Sequence, residues 1–246
     1  MLAAVVGAVF GSFLNVVAYR LPRGESLSRP RSRCPQCQTQ IKAYDNVPVL
    51  SWLALRGRCR SCRAPISARY PLVEAVTGLL CALVVYDQGL DEDAILGVVL
   101  VLLLVPITLI DLDHRIIPNK LTLLGAVLAP AIVAFTAPDA IPEHLIAGAA
   151  AGGVFLLIVF AYPRGMGMGD VKLAAVLGLF LGRDVVPALF IAFLVGTLVG
   201  AAIIARKGSA EGRKTAVPFG PFLALGGVVA LFAGDAMVDW YLTTFI

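Results

Sequence analysis

Charged residues are scarce in this chain: only 15% of its 246 residues are Asp, Glu, Lys or Arg, and it has only two histidines. Apolar residues make up 59% of the chain, and its mean hydropathy is +0.88. A soluble globular domain carries about 25% charged residues, so the composition excludes that class. It predicts an integral membrane protein.

A basic leader is also missing. The first apolar run, Met1 to Val17, has no positively charged segment before it, and its charges follow instead. A secretory signal peptide has the opposite order. We therefore expect a retained membrane anchor, with a cleaved signal as the alternative.

Eight apolar runs have lengths suited to crossing roughly 30 Å of hydrocarbon. They cover about Met1 to Val17, Pro71 to Tyr86, Ala94 to Ile110, Leu121 to Ala137, Leu145 to Tyr162, Val171 to Leu181, Val185 to Ala205 and Pro218 to Ala233. The pattern predicts an all-α membrane fold of about eight transmembrane helices, in one polytopic domain over residues 1–246. The run from Val171 is short for a full span, which indicates a half-helix or a helix shielded by its neighbours.

Charge placement predicts the orientation. The segment from Arg20 to Arg69 holds 11 of the 20 lysines and arginines against two acids, Glu25 and Asp45. By the positive-inside rule this segment faces the cytoplasm, and the amino terminus lies outside. Counting helices onward places the acidic loops outside and the basic loops inside. The outside loops hold Asp87 to Asp93, Asp139, Glu143 and Asp184, and the inside loops hold Asp111 to Lys120, Arg164 to Asp170 and Arg206 to Lys214.

Two CxxC pairs lie in the basic segment, Cys34 with Cys37 and Cys59 with Cys62, separated by 21 residues. This spacing is typical of a zinc site in which two knuckles supply four thiolates. Disulfides are the alternative, but they are rare in the reducing cytoplasm. We therefore predict a small Zn²⁺-binding insertion over residues 20–70, between the first two helices. Cys81, inside an apolar run, is expected to be a core residue.

The eleven basic groups of this insertion are expected to set topology and to attract anionic membrane lipid. Nucleic-acid binding would need a basic stripe interleaved with aromatic residues, or a recognition helix. The sequence has neither, so no nucleic-acid partner is predicted.

Two acids follow or begin apolar runs on the predicted cytoplasmic side: Asp111 and Asp170, 59 residues apart. A carboxylate at a membrane boundary is costly, so it indicates function. Two carboxylates that share a water molecule can act as acid and base in peptide hydrolysis. We predict that the two acids form a catalytic pair.

Gly165, Gly167 and Gly169 alternate before Asp170, which predicts a backbone free to adopt unusual dihedral angles and to approach a substrate closely. The structural alternative is a glycine-lined helix start with Asp170 as its N-cap. Asp113 competes with Asp111 for the catalytic role. The two lie about 200° apart on a helix, and we favour Asp111 because it directly follows the apolar run.

Several strings in this order resemble type IV prepilin peptidases of bacteria, and the resemblance covers essentially the whole chain. They are Gly11 to Pro22, the paired CxxC knuckles, Tyr70 to Glu74, Ile110 to Asn119, Gly167 to Leu173 and Pro218 to Phe222. The resemblance implies a GxGD aspartic protease of the bacterial inner membrane that removes the leader of type IV prepilins or pseudopilins at the cytoplasmic face. It also implies that Asp111 and Asp170 are the catalytic pair.

Many members of this family also methylate the new amino terminus with S-adenosyl-L-methionine, and the four-cysteine insertion is associated with that bifunctional form. The resemblance therefore implies this cofactor here. Glu74, an acid near the start of the second span, is a candidate to contact the sulfonium or the substrate amine. A helix-start acid favoured by the helix dipole is the alternative.

Two functions of other classes remain open from the residues alone. A transporter could use Asp111 and Asp170 to relay protons, although the sequence shows no convincing inverted repeat. A noncatalytic assembly protein of a pilus or secretion apparatus is the other alternative.

Overall fold

The computed structural model describes residues 1–89, 92–163, 165–208 and 217–245, without the side chains of residues 92 and 93. In this part of the chain the regular structure is helical, apart from two isolated β-bridges in the four-cysteine segment. The helices are α1 (Leu2–Arg20), α2 (Leu50–Ala54), α3 (Arg69–Gln88), α4 (Glu92–His114), α5 (Asn119–Thr136), α6 (Ile141–Ala161), α7 (Met168–Leu181), α8 (Val185–Lys207) and α9 (Gly220–Phe245).

The prediction of about eight membrane helices is confirmed. Eight of the helices found in the described residues have at least 14 residues, and only α2 is short. By length and hydropathy they give seven candidate spans, because Met168–Lys207 counts as one segment of 40 residues. Within it, α7 has 14 residues and is roughly 21 Å long, too short for the roughly 30 Å hydrocarbon core. The short apolar run from Val171 predicted a helix that is too short for a full span.

Large apolar side chains cover the outer surfaces of these helices. Phe135, Leu157, Phe160 and Val186 are each more than two-thirds exposed. Such surfaces are rare on soluble monomers but are expected where lipid is the solvent. The described helices fit a multi-pass membrane protein. The loop residues 90–91, 164 and 209–216, which carried part of the orientation argument, lie outside the described residues.

The chain divides into two compact units, Met1–Ala94 and Ile95–Ile246. In the first unit, α1 and α3 pack closely through small residues. A Cβ on Gly7 would lie 2.8 Å from Cys81 Cβ, and one on Gly78 would lie 2.6 Å from the backbone oxygen of Ala4. Small residues at such contacts are typical of membrane helix pairs, since they let the backbones approach. Cys81 is buried here, as expected.

The four-cysteine segment joins α1 to α3 within the first unit. It is held by short turns, the two β-bridges and helix α2 rather than by an apolar core. In α2, Trp52 points into the segment: its Nε1 donates a hydrogen bond to the backbone oxygen of Ile66 at 3.0 Å, and Gly57 packs against its ring.

The second unit packs α6 against α7 and α8 against α9. Gly178 in α7 lies against the backbone of Ala147, and Gly226 in α9 lies against the backbone of Ala188, each closer than a Cβ would permit. The core includes fully buried Ile107 of α4, Leu177 of α7 and Leu223 of α9. This packing brings the C-terminal end of α4 close to the N-terminal ends of α7 and α9.

Helix α9 extends twelve residues beyond the predicted end at Ala233. The polar extension carries Asp235 and Asp239, whose carboxylates lie 2.8 Å and 3.4 Å from the guanidinium of Arg183. Residues four apart share a helix face, so one arginine can pair with both acids. The predicted helix ended with the apolar run at Ala233, so the sequence did not indicate that Arg183 pairs with these two acids. The expectation of one domain over residues 1–246 stays a prediction.

Candidate active site

Asp111 lies one turn before the end of α4. The helix ends at His114 because Arg115 adopts a left-handed conformation (φ 56°). The backbone N–H of Arg115 donates a hydrogen bond to the backbone oxygen of Asp111 at 2.8 Å. The Asp111 side chain is 4% exposed, whereas Asp113 and His114 are exposed. The preference for Asp111 over Asp113 therefore agrees with their burial.

The first residue of α9, Gly220, contacts this buried carboxylate. Its backbone N–H donates a hydrogen bond of 2.9 Å to Asp111 Oδ2. The first N–H groups of a helix have no partner within the helix and carry a partial positive charge, so they suit an anionic oxygen. A Cβ at residue 220 would lie 2.6 Å from Oδ2 and 3.1 Å from Asp111 Cγ. Only glycine permits this contact without displacing Asp111.

Aromatic rings hold the turn that presents Gly220. Phe219 stacks against Phe193 with ring centroids 5.4 Å apart, and it also contacts Phe155 and Phe222 at 6.3 Å and 6.0 Å. Phe155 is fully buried. Tilted and edge-on aromatic pairs of this kind stabilise by about 0.5–1.5 kcal/mol each. They fix the position of the Gly220 N–H against Asp111.

Asp170 is the third residue of α7 and is half-buried. Its Oδ2 accepts a hydrogen bond of 3.0 Å from the backbone N–H of Gly167, which is the N-cap residue. The alternative with Asp170 as the N-cap is therefore wrong by three residues. The side chain reaches back to the helix start, as an acid at this position does in a capping box.

Two of the glycines before Asp170 do not have the unusual dihedral angles that their alternation predicted. Gly167 and Gly169 lie outside the set of glycines with positive φ, and Gly167 is extended at φ −89° and ψ 155°. The expectation of unusual dihedral angles is therefore wrong for Gly167 and Gly169, while close approach to a substrate stays a prediction. Gly169 instead permits a close approach within the protein, since its Cβ would lie 3.0 Å from Ile117 Cβ. This contact packs the start of α7 against the turn that follows α4.

Asp111 and Asp170 lie on neighbouring elements, since the start of α7 packs against the turn that follows α4. Both belong to the second unit, and in the described residues each uses Oδ2 for its backbone hydrogen bond. Asp111 Oδ1 carries no hydrogen bond from the described part of the chain. The arrangement places two carboxylates, each held by a backbone N–H, at neighbouring helix ends of the second unit.

In the first unit, the four predicted cysteines form one cluster with all Sγ atoms within 4.8 Å of one another, a group that could hold a metal ion. Cys34 Sγ and Cys62 Sγ lie 3.8 Å apart. A tetrahedral site with Zn–S bonds of about 2.3 Å has sulfur–sulfur edges of about 3.8 Å, so the spacing fits. Hydrogen bonds from Thr39 lower the pKa of the Cys37 thiol to about 6, which favours the thiolate that binds metal.

The two halves of this cluster are equivalent in backbone structure. In the first knuckle, residues 34–39, the N–H of Gln38 donates to the Cys34 oxygen at 3.0 Å, and Gln38 has φ 57°. In the second knuckle, residues 59–64, the N–H of Arg63 donates to the Cys59 oxygen at 3.0 Å, and Arg63 has φ 62°. The sequence predicted this repeat only as two CxxC pairs.

Family models match both halves of the chain. The Bacterial Peptidase A24 N-terminal domain matches residues 5–88, and the Type IV leader peptidase family matches residues 98–204. A prepilin leader peptidase/N-methyltransferase of Aeromonas hydrophila is 38% identical, over 97% of this chain and 92% of the relative. This chain belongs to the type IV leader peptidase family.

Other relatives bear the same name. The protein of Stutzerimonas stutzeri is 36% identical over 98% of this chain and 92% of its own length, and that of Myxococcus xanthus is 42% identical over 85% and 64%. No solved structure matches the chain.

In this member of the leader peptidase family, Glu74 is buried on α3, and its Oε2 accepts a hydrogen bond of 2.7 Å from the backbone N–H of Val49. Val49 has φ 59°, which is costly for a β-branched residue. The contact therefore holds the chain just before α2 in a strained turn. Sequence reasoning did not find this structural role, because Val49 and Glu74 lie far apart in the sequence.

A second polar pair lies near the aspartates. Lys172 Nζ, two residues after Asp170, donates a hydrogen bond of 2.8 Å to Asn119 Oδ1 at the start of α5. Both residues fall in the strings that carried the family resemblance, but nothing in the sequence indicated that they meet. Together with Gly220, they are the polar contacts of this region that sequence reasoning missed.

Proposed function

We propose that this chain is an aspartic endopeptidase that removes the leader of type IV prepilins or pseudopilins. The single observation that supports it best is the buried Asp111 carboxylate, held by the Gly220 N–H beside the turn against which the start of α7 packs. The names of the relatives supply the substrate class. The cleavage would occur on the cytoplasmic side of the bacterial inner membrane, as the basic loops suggest.

Hydrolysis by this pair would use the two Oδ1 atoms. One carboxylate accepts a proton from a water molecule while the oxygen of that water attacks the peptide carbonyl carbon. The other carboxyl group is protonated and donates its proton to the carbonyl oxygen. Collapse of the tetrahedral species breaks the C–N bond, and the leaving amine takes up a proton. The hydrogen bonds to Oδ2 fix both groups in orientation, which lowers the entropic part of the barrier.

Incubation of the purified chain with a prepilin tests this proposal. We expect loss of the leader, seen as one new amino terminus by mass spectrometry. A proton transporter or a noncatalytic assembly protein would leave the prepilin intact, so an intact substrate at long incubation would overturn the proposal.

We propose Zn²⁺ as the ion of the four-cysteine cluster, on the strength of the sulfur spacing and of the matched knuckles. Zinc bound by four thiolates is structural, with no open position for chemistry. It would couple metal binding to the folding of residues 20–70. The ligands would be Cys34, Cys37, Cys59 and Cys62.

Changing these four cysteines to serine is expected to reduce bound zinc from about one ion per chain to none. Trypsin should then cut the segment from Arg20 to Arg69 faster, because the metal supplies much of its folding free energy. Elemental analysis and timed digestion check this. Cys81→Ser is the matched control and should keep its zinc. An unaltered digestion pattern in the four-serine variant would contradict a structural metal.

The same chain is proposed to methylate the new amino terminus, in line with the names of its relatives. S-adenosylmethionine would supply an electrophilic methyl group to the amine. Glu74 is the proposed contact for its positive sulfonium, because it is a buried acid with Oε1 free of hydrogen bonds from the described residues. Its Oε2 is used by Val49, so the side chain is already oriented.

The two activities are expected to separate by mutation. Asp170→Asn should still methylate a peptide that begins with phenylalanine, since methyl transfer does not need the aspartate pair. Glu74→Gln keeps an acceptor for the Val49 N–H but loses the charge, so we expect methylation to fall about tenfold or more while cleavage falls less. Transfer of labelled methyl from S-adenosylmethionine measures this. Equal losses of both activities in Glu74→Gln would contradict the assignment of Glu74.

A further inference from the structure

A cavity of about 620 Å³ opens beside the second knuckle of the four-cysteine segment, and arginines dominate its lining. Arg60 is neutralised there, since its guanidinium lies 2.6 Å from the carboxylate of Asp45. No carboxylate in the described part of the chain lies within ion-pair distance of the other three arginines. The full lining is Ala54, Leu55, Arg56, Arg58, Arg60 and Arg63. Three converging cations without counter-charge suit an anionic ligand.

The knuckle fold itself does not require these arginines. The first knuckle has the same backbone, yet it carries Pro35 where the second has Arg60, and Gln38 where the second has Arg63. Gln38 adopts nearly the same left-handed φ as Arg63. The turn therefore does not require a positively charged residue at position 63.

Exposed apolar side chains lie next to the cavity, on α2. Leu50 is 65% exposed and Leu53 is 58% exposed. Trp52, on the same helix, is held inward by its hydrogen bond to Ile66, so the two leucines form the outer face of α2. Apolar side chains beside a cationic cluster are typical of segments that lie at a membrane surface.

Helix α2 also begins beside the first turns of a candidate membrane span. The N–H of Val49, directly before α2, donates to Glu74, which is five residues after the first residue of α3. At 1.5 Å per residue, this contact lies roughly 8 Å along the span that starts at Arg69. The contact therefore lies near the end of this candidate span, where the helix would meet one surface of the membrane.

We propose that α2 and the arginine cavity form a docking site for an anionic phospholipid of the surrounding membrane. The phosphodiester group would be bound by Arg56, Arg58 and Arg63, which can donate several hydrogen bonds to phosphate oxygens. Leu50 and Leu53 would insert between the head groups. The site would fix the four-cysteine segment against the membrane surface. It is independent of the proposed peptidase activity.

Trp52 provides a native probe of this docking, once Trp240→Phe has removed the second tryptophan. The full chain is placed in nanodiscs of phosphatidylcholine with a spin-labelled head-group lipid, with or without 30% phosphatidylglycerol. We expect phosphatidylglycerol to increase quenching of Trp52 fluorescence and high salt to reverse the increase. Each arginine near an anionic surface contributes about fivefold to such an equilibrium.

The variant R56Q/R58Q/R63Q should therefore lose the increase. R29Q/R31Q/R33Q is the matched control, since it removes the same charge from the same segment but outside the cavity, and it should keep the increase. L50Q/L53Q retains all arginines and should lose it. Equal quenching in both lipid mixtures would overturn the proposal, as would equal loss in the control. Binding of an RNA oligonucleotide to Arg56, Arg58 and Arg63 without any response to phosphatidylglycerol would also overturn it.

Discussion

Asp111→Asn and Asp170→Asn are each expected to lower the rate of leader cleavage on the order of 10³-fold. Asparagine has almost the shape of aspartate, and its amide oxygen can still accept the hydrogen bond from Gly220 or from Gly167. The fold and membrane insertion should persist, while the group can no longer exchange a proton. Initial rates on a prepilin peptide measure the loss.

Asp113→Asn is the matched control, because Asp113 lies two residues from Asp111 but is exposed. It should keep most of the activity. If Asp113→Asn lost as much activity as Asp111→Asn, the choice between these two acids would be wrong. Robust cleavage by Asp170→Asn would contradict the assignment of Asp111 and Asp170 as a catalytic pair.

Gly220→Ala is expected to have the second-largest effect, a loss in kcat of about 10²-fold. A methyl group at this position would lie 2.6 Å from Asp111 Oδ2, so the carboxylate or the start of α9 must shift. A displacement near 1 Å at a catalytic group costs about this much. The backbone N–H is still present, so the variant tests position and not the loss of a donor.

Gly200→Ala is its control. A Cβ at Gly200 in α8 would meet nothing within 4 Å, so this variant should cleave at the wild-type rate and gain up to about 1 kcal/mol in helix stability. Steady-state kinetics should show the Gly220→Ala defect mainly in kcat. Normal kcat in a folded Gly220→Ala enzyme would show that Asp111 tolerates displacement and does not act on the substrate.

Local signals in the sequence were sufficient for the helices and for the choice of Asp111. Hydropathy alone predicted about eight membrane helices with one short run, and the 200° between Asp111 and Asp113 separated a buried acid from an exposed one. The CxxC spacing predicted the cysteine cluster, since two short turns impose its geometry. These features depend on residues near each other in the chain.

Contacts between distant residues were not predictable in the same way. Gly220 and Asp111 are 109 residues apart, and the Pro-Phe-Gly-Pro string carried only a resemblance, without a role. Val49 and Glu74 meet through a strained turn that no propensity favours. The glycines before Asp170 were assigned to unusual dihedral angles, whereas Gly169 is needed for a close contact with Ile117. The sequence alone does not show whether a glycine is needed for an unusual dihedral angle or for a close contact.

The rates of wild type, Asp111→Asn, Asp170→Asn and the double variant, measured on one prepilin peptide, test the shared action of the two carboxylates. Residues that act as one unit show strongly non-additive losses. We expect the double variant to be no slower than either single variant, with wild type on the order of 10³-fold faster than all three. Additive losses, or cleavage by the double variant at the wild-type rate, would contradict a catalytic pair formed by Asp111 and Asp170.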